Sequence, residues 1–187
     1  MVEAMAHDHR SAPAEVALRV LSPADLGQIE RGFRQLGAES RRLRYGLPLA
    51  DVGRALEWVA RLGDGKDFAV GACAIDTGEP VGVARYVRGY EAGEVAVTVV
   101  DRWQGRGVGT LLLETLVRHA ARHGIHSLRA SVLVDNVRAV RLLRRLGAQR
   151  SGFGGGLLEY ELAVGPESVD RPRCERDHGR QIGRGAA

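Results

Sequence analysis

The sequence contains little cysteine, few aromatic residues and no long apolar run. Cys73 and Cys174 are its only cysteines, and neither their spacing nor their neighbours suggest a disulfide or a metal site, so we expect free thiols and no metal. No apolar stretch approaches the ~20 residues of a membrane-spanning helix, which argues against a membrane protein. The N-terminal segment lacks the basic and apolar regions of a secretory signal, so we expect a cytoplasmic protein.

Lysine is also scarce, because Lys66 is the only lysine among 27 basic side chains. Against 23 acidic side chains, these give a net charge of +4 and an isoelectric point near 9.6. A basic chain can bind nucleic acid, but aromatic residues, which would stack on bases, make up only 5% of this chain. We therefore interpret most of the arginines as solvated helix faces and expect no nucleic-acid partner.

The length of 187 residues and the ordinary globular composition leave room for one domain. Residues 1–15 and 165–187 are rich in small and polar residues without apolar periodicity, so we predict flexible tails on both sides of a domain at 16–164. A domain of about 150 residues forms a core without disulfides or metals. We expect it to be a monomer or a homodimer.

Apolar periodicity predicts an α+β fold, with a mixed sheet and helices on its faces. The predicted helices cover residues 22–36, 49–62, 108–123 and 137–146. The predicted strands cover residues 17–21, 68–75, 80–87, 94–100, 127–133 and 157–162, and the three between 68 and 100 form an antiparallel meander.

The most informative segment follows the strand that ends at Val100 and reads Gln104-Gly105-Arg106-Gly107-Val108-Gly109-Thr110. Its glycines lie where a helix begins, and a helix N-terminus offers free backbone N–H groups and about half a positive charge. Glycines let a phosphate approach these groups closely. The alternative is a glycine-rich turn that only packs a helix on the sheet.

Two common phosphate-binding motifs do not fit this loop. The dinucleotide fingerprint Gly-x-Gly-x-x-Gly places its third glycine one position later than Gly109 and needs an acidic residue about 20 residues further on, which is absent here. The P-loop needs Gly-Lys-Ser/Thr, and this loop has no lysine. The sequence therefore argues against nucleotide hydrolysis and hydride transfer.

The loop instead resembles the Gln/Arg-x-x-Gly-x-Gly/Ala motif of the GNAT acetyltransferases. A second segment, from Asn136 to Ala148, resembles the family's Asn-x-x-Ala signature. The resemblance covers about residues 17–164 and is strongest to the acetyltransferase domain of bacterial protein-lysine acetyltransferases. It implies the GNAT fold, with a mostly antiparallel sheet and helices on both faces, and an N-acetyltransferase that uses acetyl-CoA.

The resemblance also implies where acetyl-CoA binds. Its pyrophosphate would lie on the backbone amides of residues 104–110, and its pantetheine arm would run beside Val97 and Val99. Asn136 would approach the thioester end. The side chains of Arg106, Arg138 and Arg141 are either further phosphate ligands or solvated helix residues.

Amine acetylation needs a neutral amine, and a lysine side chain with a pKa of about 10.4 is almost fully protonated at pH 7. A carboxylate base fits this task. Glu94 matches the glutamate that the protein-lysine subgroup places at the start of the strand leading to the cofactor. The alternative interpretation is that Glu94 is only a solvated residue at the start of a strand. Weaker candidates for the base are Glu91, Asp101 and Glu159.

One departure concerns the general acid. Many family members have a tyrosine in the second motif that protonates the leaving thiolate, and this chain has Leu143 there. Tyr86, Tyr90 and Tyr160 are alternative donors, but each also fits a half-buried strand position, and water could serve instead.

Three other features have structural interpretations. His119 and His123 share a helix face without the acidic residue of a zinc motif, so we interpret them as solvated. Trp103 is predicted to anchor the turn by packing. For the cluster of Arg41, Arg42 and Arg44, pairing with Glu39 and nearby acids is favoured over contact with an acidic substrate surface.

Together, these features predict transfer of an acetyl group to a primary amine in a ternary complex, with protein lysine as the favoured acceptor. The alternatives are a small-molecule amine acetyltransferase and a non-catalytic acyl-CoA-binding module, and the missing tyrosine suggests the second. The acceptor pocket is expected in the helices and loops of residues 23–66, a region in which the sequence does not identify the substrate.

Overall fold

The computed structural model describes residues 15–46 and 51–165, which form one seven-stranded sheet and five α-helices. The strands are β1 (Val16–Val20), β2 (Asp67–Ala74), β3 (Pro80–Arg88), β4 (Gly93–Val99), β5 (Ser127–Leu133), β6 (Gln149–Gly154) and β7 (Leu157–Ala163). The helices are α1 (Leu26–Arg34), α2 (Ala38–Tyr45), α3 (Val52–Leu56), α4 (Val108–Arg122) and α5 (Val137–Arg145), with 3₁₀ turns at Pro23–Asp25, Glu57–Arg61 and Asp101–Trp103. Apart from Glu15 and Gly165, the predicted tails lie outside the described residues.

The strand order in the sheet is β1-β2-β3-β4-β5-β7-β6. Every neighbouring pair is antiparallel except β4 and β5, which are parallel. The predicted meander of β2, β3 and β4 and the mixed, mostly antiparallel sheet are therefore confirmed. The parallel pair at the centre follows from the connection through α4, because parallel neighbours need a crossover.

The sheet separates two apolar cores. On one face α4 packs along its length, and its leucines at 111, 112, 113 and 116 are buried in the larger core. On the other face α1 and the segment around α3 cover the first strands, with Phe33, Trp58 and Val59 in the smaller core. Burial on both faces explains the runs of Val and Ala in the central strands.

Three local predictions need correction. Strand β6 was not predicted, because its side chains are nearly all exposed and show no alternation of apolar and polar residues. Helix α2 was expected only as a basic segment, because none of its residues is buried. The single helix predicted over residues 49–62 is instead α3 followed by a 3₁₀ turn that buries the consecutive residues Trp58 and Val59, and positions 49 and 50 lie outside the described residues.

Within the described ranges, 15–46 and 51–165, no helix is long and apolar enough to cross a membrane. The same ranges contain no group of three or more His, Cys, Asp or Glu residues placed to hold a metal ion.

Candidate active site

A gap between strands β4 and β5 forms the centre of the candidate site. The two strands pair only at Gly93 with Leu128 and at Glu94 with Arg129. Beyond these pairs the strands separate, so the edge of β4 over residues 95–99 has no strand partner on this side. A cavity of about 1130 Å³ fills the gap and extends beneath α2 and α5.

The glycine loop lies where β4 leads into α4. Gly105 and Gly107 have φ angles of 76° and 84°, in the left-handed region that favours glycine. A Cβ atom at either position would meet no other atom within 4 Å, so the space before the loop is open. Gly107 is the N-cap of α4 and brings no side chain to the helix, which leaves the first backbone N–H groups available to a ligand. The loop therefore gives an open, side-chain-free entry to the N-terminus of α4, and anion binding there stays a prediction.

The third glycine of the motif serves packing. A Cβ atom on Gly109 would lie 3.2 Å from Leu142 Cδ2 of α5 and 3.7 Å from Val99 Cγ2 of β4. This position therefore lets α4 lie close to both elements. Val108 is buried in the core, so only its backbone can reach a ligand, whereas Val97 and Thr110 line the cavity.

Gln104 connects three elements around the loop. Its side-chain amide donates to the backbone oxygen of Val99 at 3.0 Å and to Ser40 Oγ of α2 at 3.1 Å. Its side-chain oxygen accepts a hydrogen bond from Arg138 of α5. The glutamine of the motif thus fixes the loop against the end of β4, and its predicted ligand contact would come from the backbone.

Asp101 caps a helix and is not free to act as a base. Its carboxylate accepts hydrogen bonds from the backbone N–H of Gly37 at 2.9 Å and from Ser40 Oγ at 2.8 Å. These two donors lie at the N-terminus of α2, where the carboxylate also complements the helix dipole. Asp101 therefore positions α2 over the gap.

Asn136 is the N-cap of α5, where its side-chain oxygen accepts a hydrogen bond from the backbone N–H of Ala139 at 3.1 Å. It also lines the cavity, next to Asp135, which pairs with Arg42 of α2. The structure therefore explains this asparagine as a helix cap, and its approach to a thioester stays a prediction.

The three arginines near the loop differ in their contacts. Arg106 lies over the ring of Trp103 at 5.1 Å and forms a 3.6 Å ion pair with Glu15. Arg138 binds Gln104, and Arg141 is exposed on the cavity wall. Trp103 packs against the larger core, as predicted for an anchor of the turn.

Glu94 lies at the closed end of the gap and lines the cavity with an exposed side chain. Its strand neighbour Arg129 forms ion pairs with Glu91 at 3.6 Å and with Glu161 at 4.0 Å. The Glu94 carboxylate has no ion pair with any residue in the described part of the chain, so it can meet an incoming ammonium group.

The other predicted acids are less suitable as a base. Asp101 caps α2, and Glu91 is paired with Arg129. Glu159 lines the cavity from β7 and is exposed, opposite Ser131 of β5, so it is the remaining alternative to Glu94.

No tyrosine from the described residues lines the cavity. Leu143 is buried at the place where many family members have tyrosine. The Tyr86 hydroxyl is bonded to His119 on the opposite face of the sheet, Tyr90 is fully exposed, and Tyr160 is buried. These positions argue against all three predicted alternatives as proton donors.

The interpretation of His119 as a solvated residue is wrong. Its Nδ1 lies 2.9 Å from the Tyr86 hydroxyl, and its ring stacks on Phe68 and on His123, with centroids 3.3 Å and 3.9 Å away. Burial, and to a lesser extent the nearby His123 and Arg122, lower the pKa of His119 to about 4. The pattern of apolar residues on α4 could not predict this contact, because Phe68 is on β2 and Tyr86 is on β3.

The arginine cluster of α2 only partly pairs with acids. Arg42 binds Glu39 at 2.7 Å and Asp135 at 2.6 Å, which connects α2 to the loop before α5. Arg41 donates to a backbone oxygen of α1 instead. Arg44 has no ion pair among the described residues and lines the cavity. The prediction of internal pairing therefore holds for Arg42 alone.

Arg85 is a site residue that the sequence patterns did not predict. It lies on β3 opposite Ala96 and lines the cavity, with its guanidinium 4.8 Å from the centre of the Trp58 ring. A signal was present, because a charged residue within an otherwise apolar buried strand is unusual.

Comparison with known proteins agrees with this architecture. The sequence model of the Acetyltransferase (GNAT) family matches residues 35–148. Acetyltransferase Pat of Mycolicibacterium smegmatis is 31% identical over 152 residues, which are 80% of this chain and 46% of that protein. The Escherichia coli [ribosomal protein uS5]-alanine N-acetyltransferase is 32% identical over 108 residues, which are 51% of this chain and 56% of that protein. This chain thus spans about half the length of these relatives.

A solved structure supports the fold. The GNAT domain of S. lividans PAT superposes with a TM-score of 0.72 at 23% identity and covers 80% of this chain and 90% of that domain. Together with the family match over more than half of the sequence, the glycine loop and the separated central strands, this establishes that the chain belongs to the GNAT acetyltransferase family.

Proposed function

We propose that this chain transfers an acetyl group from acetyl-CoA to a primary amine, and that the amine is a lysine side chain of a protein. The observation that carries the proposal is the gap between β4 and β5, which has the glycine loop at its open end and the Glu94 carboxylate at its closed end. An anion site and a base at opposite ends of one cavity suit a donor with phosphates and an acceptor that must lose a proton.

Several residues are suited to hold acetyl-CoA. The open, side-chain-free entry at Gly105 and Gly107 suits its pyrophosphate, with the exposed Arg141 as a further cation nearby. The unpaired edge of β4 at Val97 and Val99 offers backbone groups that suit the amides of its pantetheine arm. When bound, acetyl-CoA supplies a thioester carbonyl that a neutral amine attacks, with formation of an amide and release of the CoA thiol.

Glu94 would take the proton from the acceptor ammonium. At pH 7 only about one lysine side chain in a few thousand is neutral, so removal of this proton is a large part of the task. The exposed carboxylate can exchange its proton with solvent after each turnover. Protonation of the leaving thiolate would come from water, because Leu143 replaces the usual tyrosine and no other tyrosine of the described residues reaches the cavity.

The acceptor is the least determined part of the proposal. Protein lysine follows from the resemblance of the sequence to the protein-lysine subgroup. The uS5 relative is named for acetylation of an alanine in a ribosomal protein, which supports an α-amine as a second candidate.

Transfer assays can test this function directly. The purified chain would be incubated with acetyl-CoA labelled in the acetyl group and with three acceptor sets: lysine-containing proteins, peptides with free α-amines, and small amines. We expect label in amide linkage in at least one set, and lysine ε-amides if the favoured acceptor is right. Cofactor binding without transfer to any set would indicate a non-catalytic acyl-CoA-binding module, and a calorimetric titration without acetyl-CoA binding would overturn the proposal.

A further inference from the structure

Two guanidinium groups on the acceptor side of the cavity form no ion pair with any described residue. Arg44 of α2 and Arg85 of β3 both line the cavity that contains Glu94. The Nε atom of Arg44 and the Nε and Nη1 atoms of Arg85 are shielded from solvent, and none has a hydrogen-bond partner in the part of the chain that the structure describes. Buried polar atoms are nearly always paired, so three unpaired donors at one site require an explanation.

Burial of these groups is unfavourable for the folded protein. It lowers the pKa of both arginines, and for Arg85 the positive charge of Arg44 is the next cause. Two like charges therefore lie close to each other in partly dehydrated surroundings. Such an arrangement persists where a ligand of opposite charge offsets its cost.

No acidic side chain in the described part of the chain forms an ion pair with Arg44 or Arg85. Asp67 acts on Arg85 electrostatically, but its own ion pair, at 3.4 Å, is with Arg61. Aromatic rings lie against both guanidinium groups, with Trp58 4.8 Å from Arg85 and Tyr45 4.8 Å from Arg44. These contacts leave the buried N–H groups of both side chains without a hydrogen-bond partner among the described residues, so the groups can bind a carboxylate.

The strand register places Arg85 on the same face of the sheet as Glu94. Val87 is opposite Glu94 and Arg85 is opposite Ala96, so Arg85 and Glu94 project from the same face as diagonal neighbours. Ala96 precedes the end of β4 at Val99 by three residues, or about 10 Å. Arg85 is therefore separated from the glycine loop along the sheet and is a diagonal neighbour of the proposed base, and the charge of Arg44 acts on Arg85 from α2.

We propose that Arg44 and Arg85 bind a carboxylate of the acceptor, so that the amine that is acetylated has a carboxylate close to it. Two sources have this chemistry: a free amino acid, and a lysine next to Asp or Glu in a protein. The proposal rests on the proposed function and narrows its acceptor. Arg42, which is on the same helix but already paired with Glu39 and Asp135, is not part of this site.

Matched acceptors test the requirement for a carboxylate. One arm compares free L-amino acids with their C-terminal amides. The other compares peptides that carry a central lysine flanked by Glu with peptides flanked by Gln. Amidation lowers the pKa of an α-amine, so an enzyme without a carboxylate site should prefer the amides. We expect the wild-type protein to prefer the acid-bearing member by tenfold or more in kcat/KM in one arm, and that arm identifies the source.

Variants test the two arginines. Arg44→Met and Arg85→Met should each lower kcat/KM for acid-bearing acceptors by roughly 10- to 100-fold, the effect of losing a charged hydrogen bond, and should abolish the preference. Arg85→Lys should keep part of it, because the charge remains without the planar fork. Arg88→Met, at the exposed end of the same strand, is the matched control and should change neither value.

Two further measurements distinguish a carboxylate site from a cofactor contact and from a purely structural role. The Kd for CoA should be unchanged in every variant, and a parallel loss of CoA affinity would overturn the proposal by assigning the arginines to the cofactor. The unfolding temperature of Arg85→Met should not fall, because an unpaired buried charge is removed. A wild-type protein without preference, or a preference that survives both Met substitutions, would also overturn it.

The carboxylate site and the transferase activity can fail separately. If CoA binds but no acceptor is acetylated, the proposed function is wrong. Calorimetric titration of the same amino acids and peptides into the CoA complex then tests whether the carboxylate site exists. Saturable binding that is lost in Arg44→Met and Arg85→Met supports the carboxylate site, and the absence of such binding overturns it.

Discussion

Polar groups on the two faces of the sheet at strands β3 and β4 differ in whether the protein satisfies their hydrogen bonds. Tyr86 and His119 lie on the face covered by α4, and each satisfies the other by a hydrogen bond. Arg85 is the residue next to Tyr86, on the face toward α2, and its buried N–H groups have no partner among the described residues. Neighbouring residues of one strand therefore differ in whether their polar atoms are satisfied within the protein.

This difference separates structural from functional positions. The α4 face is closed by leucines, and burial there without a partner would only destabilise the fold. The opposite face borders the cavity, where a ligand can complete what the protein leaves unsatisfied. Changes on the cavity face should therefore alter activity more than stability, and changes on the α4 face should do the reverse.

Glu94→Gln should give the largest effect on the cavity face. Without a carboxylate to accept the ammonium proton, we expect kcat at pH 7 to fall by about 10²- to 10⁴-fold. The deficit should shrink as the pH rises toward the pKa of the acceptor amine, because solvent then supplies the neutral amine. Steady-state acetylation from pH 6 to 9 measures both changes.

Glu91→Gln is the matched control for Glu94, since Glu91 is an exposed acid three residues earlier that pairs with Arg129. It should keep near wild-type activity, and the unfolding temperature should be the same in both variants. Full activity of Glu94→Gln across this pH range would reject Glu94 as the base and leave Glu159 as the remaining candidate.

Gly107→Ala should weaken the cofactor end of the cavity. A side chain at a φ of 84° costs about 1–2 kcal/mol, and relaxation would move the amides that begin α4. We expect the Kd for CoA to rise about tenfold by calorimetry. Gly78→Ala, at a φ of 67° in the turn between β2 and β3, should lose similar stability but keep CoA affinity. Equal affinity loss in both variants would mean that only global stability was affected.

The glycine-loop end of the cavity can be located from the sequence more directly than the end near Glu94, for a physical reason. The glycine loop is one continuous segment that uses backbone groups, so its residues lie together in the sequence. The other end combines Arg44 of α2, Arg85 of β3 and Glu94 of β4, which only the folded chain brings into one cavity. Spacing along the chain carries no record of that proximity.

Local sequence patterns do not record contacts between distant residues, and this also explains why strand β6 and helix α2 were not predicted. Helix α4 and the meander bury apolar faces, and this burial produces the periodicity that predicted them. Strand β6 and helix α2 bury almost nothing of their own. Strand β6 is held by pairing with β7, and α2 is capped by Asp101 from 64 residues away, so their stability comes from partners that a local window does not contain.

Asp101→Ala should have a moderate effect on both stability and activity. Loss of the cap from α2 should lower the free energy of unfolding by about 1 kcal/mol. Because α2 carries Arg44 over the cavity, KM for the acceptor should rise more than kcat falls. Asp51→Ala, which removes the cap of α3, is the control and should lower stability alone. Unchanged acceptor kinetics in Asp101→Ala would show that α2 holds its position without this cap.

His119→Asn should have the smallest effect, and on stability rather than activity. In the folded chain the pKa of His119 is lowered to about 4 by burial and by His123 and Arg122, whereas in the unfolded chain it is about 6.5. Between these values the unfolded chain binds a proton that the folded chain does not. The contribution of His119 is therefore fully present above about pH 6.5 and is lost as the pH falls toward 4.

Because His119 is only half buried, solvent screening limits this loss to about 1 kcal/mol or less between pH 7.5 and 5. Thermal unfolding over that range should show a shallower fall in His119→Asn than in the wild type, while acetyl transfer at pH 7.5 stays unchanged. A loss of transfer in His119→Asn without a change in the pH slope would contradict the division between the two faces, because it would place a functional group behind α4.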